Sequence, residues 1–148
     1  MRFWDTSAIV PLLVIEPFSR PIMEILKEDQ AMIVWWSTRI ESVSAIVRQT
    51  REGILNVSGE EQARTGLMKL AGSWREILPT QIVRETAERL LTVHPLRTAD
   101  ALQLSAALIW ATKNPKGHHF VSLDNGLREA ARKEGFTLLP AEALLRKK

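Results

Sequence analysis

The chain holds only four aspartates, Asp5, Asp29, Asp100 and Asp124, and three of them stand at the margins of apolar runs. Asp5 follows MRFW and precedes Thr6 and Ser7, Asp124 follows FVSL, and Asp100 lies in the largely apolar stretch TADALQLSAAL. A fourth acid, Glu41, sits in TRIESVSAIVR beside Ile40 and Val43. Carboxylates gathered together repel one another unless something positive lies between them. No lysine, arginine or histidine abuts Asp5, Asp100 or Asp124 in the sequence. Hard oxygen donors of this kind suit Mg²⁺ or Mn²⁺, which keep several waters and bind phosphate groups. One or two such ions would polarise a phosphodiester and lower the pKa of a bound water; a pair would stand roughly 4 Å apart. Water as the nucleophile would leave 5′-phosphate and 3′-hydroxyl ends.

Each acid also has a plainer role open to it. Asp124 is placed to cap a helix, and Asp100 in a first turn would gain from the helix dipole. Glu41 alone reads as a solvated helix residue. Asp5 is the hardest to explain in this way, because a carboxylate abutting a buried strand needs a cation or several N–H donors. Other chemistries find no support. There is no cysteine, hence no thiol nucleophile, disulfide or zinc–thiolate site. His94, His118 and His119 form no HExxH, and GxGxxG, GxxxxGK[ST] and GxSxG are absent. The DxD arrangement of aspartyl-phosphate phosphatases is missing too, since Thr6 and Ser7 follow Asp5.

The elements that must position these acids read as alternating short apolar and longer amphipathic segments. Strands are expected at residues 1–4, 31–35, 119–122 and 137–139, with 76–79 ambiguous. Helices are expected at 7–14, 17–28, from Ser37 or Thr38 to about Gly53, from a Ser58/Glu61 capping box towards Leu70, at 80–92, 97–111 and 125–134. Pro17 suits a first helical turn, Thr98 is a plausible cap for the apolar helix, and Gly135 is a stop. Ile40, Val43, Ile46, Val47 and Thr50 recur at helical spacing as one expected face. Short strands separated by helices imply a parallel sheet covered on both faces. In such sheets functional residues gather beyond the carboxyl ends of the strands, so the four acids are expected to converge at one edge.

A chain of 148 residues fits a single domain, 1–148, able to bury about two-thirds of its unfolded surface. The region 58–74 looks like a helical insertion on that core. No apolar run approaches the roughly 18–20 residues that span a bilayer, and no secretory leader is visible, so a cytoplasmic protein is expected. The net charge is +3, from 20 Lys and Arg against 17 Asp and Glu, a weak pointer to a polyanionic partner. Part of it lies in the run Arg146, Lys147 and Lys148, expected as a solvated tail. Arg39, Arg48 and Arg51 share the helix of Glu41 and offer phosphate contacts or an ordinary solvated face. Trp35 and Trp36 are adjacent, so at most one can face the core; the other, with Trp74 or Trp110, could stack on a base or enter an interface.

Taken in order, these blocks resemble the PIN-domain ribonucleases, and within them the VapC toxins of VapBC toxin–antitoxin systems. FWDTSAIVPLL is similar to the family's first strand and catalytic aspartate, TRIESVSAIVR to its glutamate helix, LRTADALQLSAAL to its most specific block, and FVSLDNGLREAARKEGF to its last. The resemblance covers almost the whole chain, with the middle helices around 59–74 least characteristic. It implies a three-layer α/β/α sandwich with a central parallel sheet of four or five strands. It also implies a Mg²⁺- or Mn²⁺-dependent endoribonuclease that dimerises and is inhibited by a cognate antitoxin lying along the active-site groove. Asp5, Glu41, Asp100 and Asp124 would be catalytic metal ligands, direct or through water, with Thr6 and Ser122 in support. Ser122 departs from the threonine common at its position but keeps the hydroxyl. Three other readings remain: a structure-specific DNA nuclease, a non-catalytic module that binds RNA or protein, and a soluble α/β protein of unrelated function.

Overall fold

In the computed structural model, which describes residues 1–146, five short strands form one sheet. The expected tail residues Lys147 and Lys148 lie outside the described residues. The strands are β1 (Arg2–Trp4), β2 (Met32–Trp35), β3 (Arg75–Ile77), β4 (His119–Val121) and β5 (Thr137–Leu139). Every neighbouring pair is parallel, in the order β3-β2-β1-β4-β5. The ambiguous segment after Trp74 is thus the edge strand β3. The helices are α1 (Thr6–Leu13), α2 (Ser19–Glu28), α3 (Thr38–Arg51), α4 (Val57–Ala71), α5 (Gln81–Val93), α6 (Thr98–Trp110), α7 (Asn125–Glu134) and α8 (Glu142–Arg146).

The pleat sends alternate side chains into two separate cores. Phe3, Ile33, Trp35 and Phe120 face α5, α6 and α7, where they meet Val83, Leu90, Leu104 and Leu127. Trp4, Met32, Val34 and Val121 face the other way, onto Ile9, Ile22, Ile46 and Leu67. Each of these fully buried aliphatic side chains contributes roughly 1.5–3 kcal/mol. The result is an α/β/α three-layer sandwich. Ala63, Leu67 and Trp74 belong to the second core, so α4 is a structural wall of it and not an appendage. Trp35 ends β2 buried, and Trp36, in the turn that follows, is exposed. Trp110 is half-buried against Phe3 and the edge of His118.

Several helix starts differ from expectation for local reasons. α2 begins at Ser19, with Pro17 in the turn before it and Pro21 in the first turn. The cap of α4 is Asn56, whose Oδ1 accepts from Gly59 N at 2.7 Å, so the Ser58 capping box is not used. Arg97 holds the N-cap position of α6 and Thr98 is already helical. In α3 the buried stripe runs Thr38, Ser42, Ile46, while Ile40 points to solvent. A polar face turned inward is the first sign that α3 borders something other than hydrocarbon. α7 matches its expected bounds, from the Asp124 cap to Gly135, whose φ of 114° suits a residue without Cβ. Among the described residues, no helix is long and apolar enough to cross a membrane.

Candidate active site

The strand order reverses direction at β1: the chain builds outward through β2 and β3 on one side, then returns to add β4 and β5 on the other. The crevice beyond the carboxyl ends of β1 and β4 is therefore the switch point where open parallel sheets bind ligands. Asp5 leaves β1 there and caps α1, its Oδ1 accepting from Ala8 N at 3.3 Å. Its amide donates to Val121 O at 3.1 Å, which fixes the carboxyl end of β1 against that of β4.

Asp5 is 2% exposed and is held by two hydroxyls. Ser7 Oγ donates to Oδ1 at 2.6 Å and Ser122 Oγ to Oδ2 at 2.8 Å. The hydroxyls serve as backbone acceptors as well: Leu123 N donates to Ser7 Oγ at 2.8 Å and Asp124 N to Ser122 Oγ at 3.1 Å. Asp124 caps α7 through Leu127 N at 2.8 Å. Beneath this turn the buried Arg128 donates to Ser122 O and Pro140 O, both at 2.8 Å, and pairs with Glu142 at 3.5 Å. The supporting role expected of Ser122 thus has a direct geometric basis. Ser7 and Arg128 were not singled out as site residues, and the Asp-x-Ser spacing was the only signal for Ser7.

On the other side of the crevice, Gln103 of α6 joins three elements. Its Nε2 lies 3.1 Å from Thr6 Oγ1, 3.0 Å from Thr38 Oγ1 and 3.4 Å from Glu41 Oε2. Ser37 Oγ donates to the same Glu41 oxygen at 2.5 Å. Glu41 is therefore half-buried and tethered, not a free surface residue. Gln103 and Thr38 also escaped the sequence reading, because a glutamine in an apolar helix and a threonine at a helix start carry no distinctive spacing.

Burial pushes the Asp5 carboxyl up to about 7; the Asp124 charge adds to this, and the Ser7 and Ser122 hydroxyls oppose it. Asp100 is also raised, first by burial and then by the charges of Asp124 and Glu41, with Arg97 acting against them. The four predicted acids thus feel one another in a chain, Asp5 to Asp124 to Asp100 to Glu41. Among the described residues, none of the four forms an ion pair with a lysine, arginine or histidine. The Arg128 guanidinium lies within electrostatic reach of Asp5, but it bonds the carbonyls of Ser122 and Pro140 and pairs with Glu142 instead. The expected convergence into a ready ligand set is not found: among the described residues no group of three or more acids or histidines stands arranged to hold a metal ion. The reason is local, since Asp5, Glu41 and Asp124 are each drawn onto their own hydroxyl or amide donors. Their chemistry still fits a hard divalent cation, for the donors are all carboxylate oxygens and the two raised carboxyls have no ion-pair partner. Two of the histidines are occupied elsewhere, with His94 2.7 Å from Glu134 and His118 against Trp110.

Solved structures share this architecture. A toxin–antitoxin complex from Klebsiella pneumoniae superposes with a TM-score of 0.58 and 17% identity, over 84% of this chain and 87% of that one. A protein of Pyrobaculum aerophilum gives 0.66 and 19%, over 99% and 93%. FitAcB from Neisseria gonorrhoeae gives 0.65 and 16%, over 93% and 96%. No protein-family model matches the chain, and no curated protein matches it significantly. At these identities the likeness is one of fold, and the fold is a PIN-like α/β/α sandwich.

Proposed function

We propose that this protein is a divalent-metal-dependent endoribonuclease, acting in the cytoplasm as the toxin of a toxin–antitoxin pair. The observation that carries the reading is the buried, unpaired Asp5 at the switch point of the sheet, electrostatically linked through Asp124 and Asp100 to Glu41. Asp5, Asp100 and Asp124, with Glu41, would hold one or two Mg²⁺ or Mn²⁺ ions. Such an ion supplies charge to a scissile phosphate and acidity to water. The protein's own groups do the rest. Ser7 and Ser122 fix the Asp5 oxygens, Thr6 presents a donor to a phosphate, and the layered core keeps Asp5 buried and Glu41 and Asp100 half-buried. The toxin reading is supported by the resemblance of the four motif blocks and by the shared fold of the Klebsiella pneumoniae complex. A cognate antitoxin and a second copy of the chain are the proposed protein partners.

The test is purified protein against total cellular RNA with Mg²⁺, Mn²⁺ or chelator, alongside Asp5→Asn. Cleavage that needs the metal, leaves 5′-phosphate ends and disappears in D5N is expected. Cyclic 2′,3′-phosphate ends would remove water as nucleophile, and D5N cleaving like wild type would remove the carboxylate site.

A further inference from the structure

We infer that Gln103 is a positioning residue that aims Glu41 and Thr6 into the carboxylate crevice, an inference that rests on the nuclease reading of that site. Gln103 is 3% exposed in the second turn of α6, and only its amide nitrogen has partners. Its Oε1 is buried with none among the described residues. An unsatisfied buried carbonyl is costly, and a hydrocarbon side chain of the same length would avoid that cost. The glutamine is thus unfavourable as core packing and is explained by what its donor end does.

That end has two hydrogens and faces two threonine hydroxyls and one carboxylate oxygen. A hydroxyl that accepts from Gln103 must turn its own hydrogen elsewhere. For half-buried Thr6, at the mouth of the crevice, this makes Oγ1 a donor towards an incoming anion. For Thr38, fully buried, it keeps the start of α3 against α6. On Glu41, Gln103 and Ser37 both reach Oε2. Among the described residues Oε1 is then the oxygen without a hydrogen-bond partner, and it is the one left to face a cation. Gln103 touches neither substrate nor metal in this arrangement; it acts through Glu41 and Thr6.

The test uses Gln103→Met, which keeps length and apolar volume but removes both the donor and the orphaned carbonyl. Mn²⁺ binding is titrated directly, with RNA cleavage measured at saturating Mn²⁺ and thermal melting in chelator. Unchanged or raised melting, with Mn²⁺ binding weakened about tenfold and kcat reduced more than KM is raised, is the expected result. Lower melting with wild-type Mn²⁺ affinity and kcat would reduce Gln103 to a packing residue and overturn the inference. If Q103M does not fold, Gln103→Asn, whose shorter amide cannot span all three acceptors, is expected to show the same loss of Mn²⁺ affinity; wild-type affinity there overturns the inference equally. D5N separates the two levels of argument. Wild type binding Mn²⁺ with D5N not binding, and Q103M binding like wild type, sinks the role of Gln103 alone. Wild type binding no Mn²⁺ sinks the site and this inference together.

Discussion

The buried carboxyl of Asp5 makes a quantitative demand on stability. Its pKa is raised from 3.8 to about 7, chiefly because burial penalises the charge. A group whose folded pKa lies above its unfolded one binds more protons when folded, so its stabilising contribution is fully present below pH 3.8. That contribution declines as pH rises from there and is gone above about pH 7. Each pKa unit is worth about 1.4 kcal/mol, so the whole swing is about 4 kcal/mol. Asn at position 5 keeps the shape without the ionisation. In metal-free buffer, D5N and wild type should therefore differ little at pH 4. At pH 8 the variant should be more stable by up to about 4 kcal/mol, roughly 10 °C in melting temperature for a chain of this size. Urea and thermal melts of both proteins across pH 4–8, in chelator, measure this directly. A saturating ion that bound only the ionised carboxylate would restore wild type at pH 8 and leave D5N unmoved. D5N melting at or below wild type at pH 8 would refute the argument from desolvation, and with it the case that Asp5 awaits a cation.

Three further outcomes follow from the same geometry. Ser122→Ala removes a donor to Asp5 and an acceptor for Asp124 N, so the proposed RNA cleavage should fall about tenfold while chemical denaturation registers a loss of about 1 kcal/mol. Arg128→Met strands the carbonyls of Ser122 and Pro140 in a buried position, and urea denaturation should show about 2–4 kcal/mol of lost stability. Gly135→Ala meets both a φ of 114° and Pro115 Cγ 3.0 Å from the added Cβ, so a loss of more than about 1 kcal/mol is expected by the same measurement.

The architecture was legible in the chain because its signals are local. RFW, MIVW and HFV are short apolar runs, α7 is bracketed by Asp124 and Gly135, and the strand–helix alternation admits few other folds. Asp5 was legible as a carboxylate abutting a buried strand; its cap on α1 and the Ser7 hydroxyl are local, and only Ser122 is distant. What escaped were residues defined only by tertiary partners. Gln103 reads as an ordinary member of an apolar helix, and its hydrogen-bond partners Thr38 and Glu41 lie some sixty positions earlier. The stripe of α3 was misjudged because Ile40 fits helical periodicity, while the true inward face includes Thr38 and Ser42. The acids were expected as a closed set, yet hydroxyl and amide donors, invisible to spacing rules, hold three of them individually.

Placing β1 at the centre of the sheet also orders events during synthesis. Asp5 leaves the ribosome before Ser122, which completes its pocket 117 positions later. At about 5–20 residues per second, a nascent chain spends several seconds with that carboxylate uncovered and Ser122 and Asp124 not yet made. Such long-range closure is also slow to form once the chain is free. An interrupted translation product lacking β4 and α7 would carry Asp5, Glu41 and Asp100 without Ser122 or Asp124, so the crevice between β1 and β4 would not assemble.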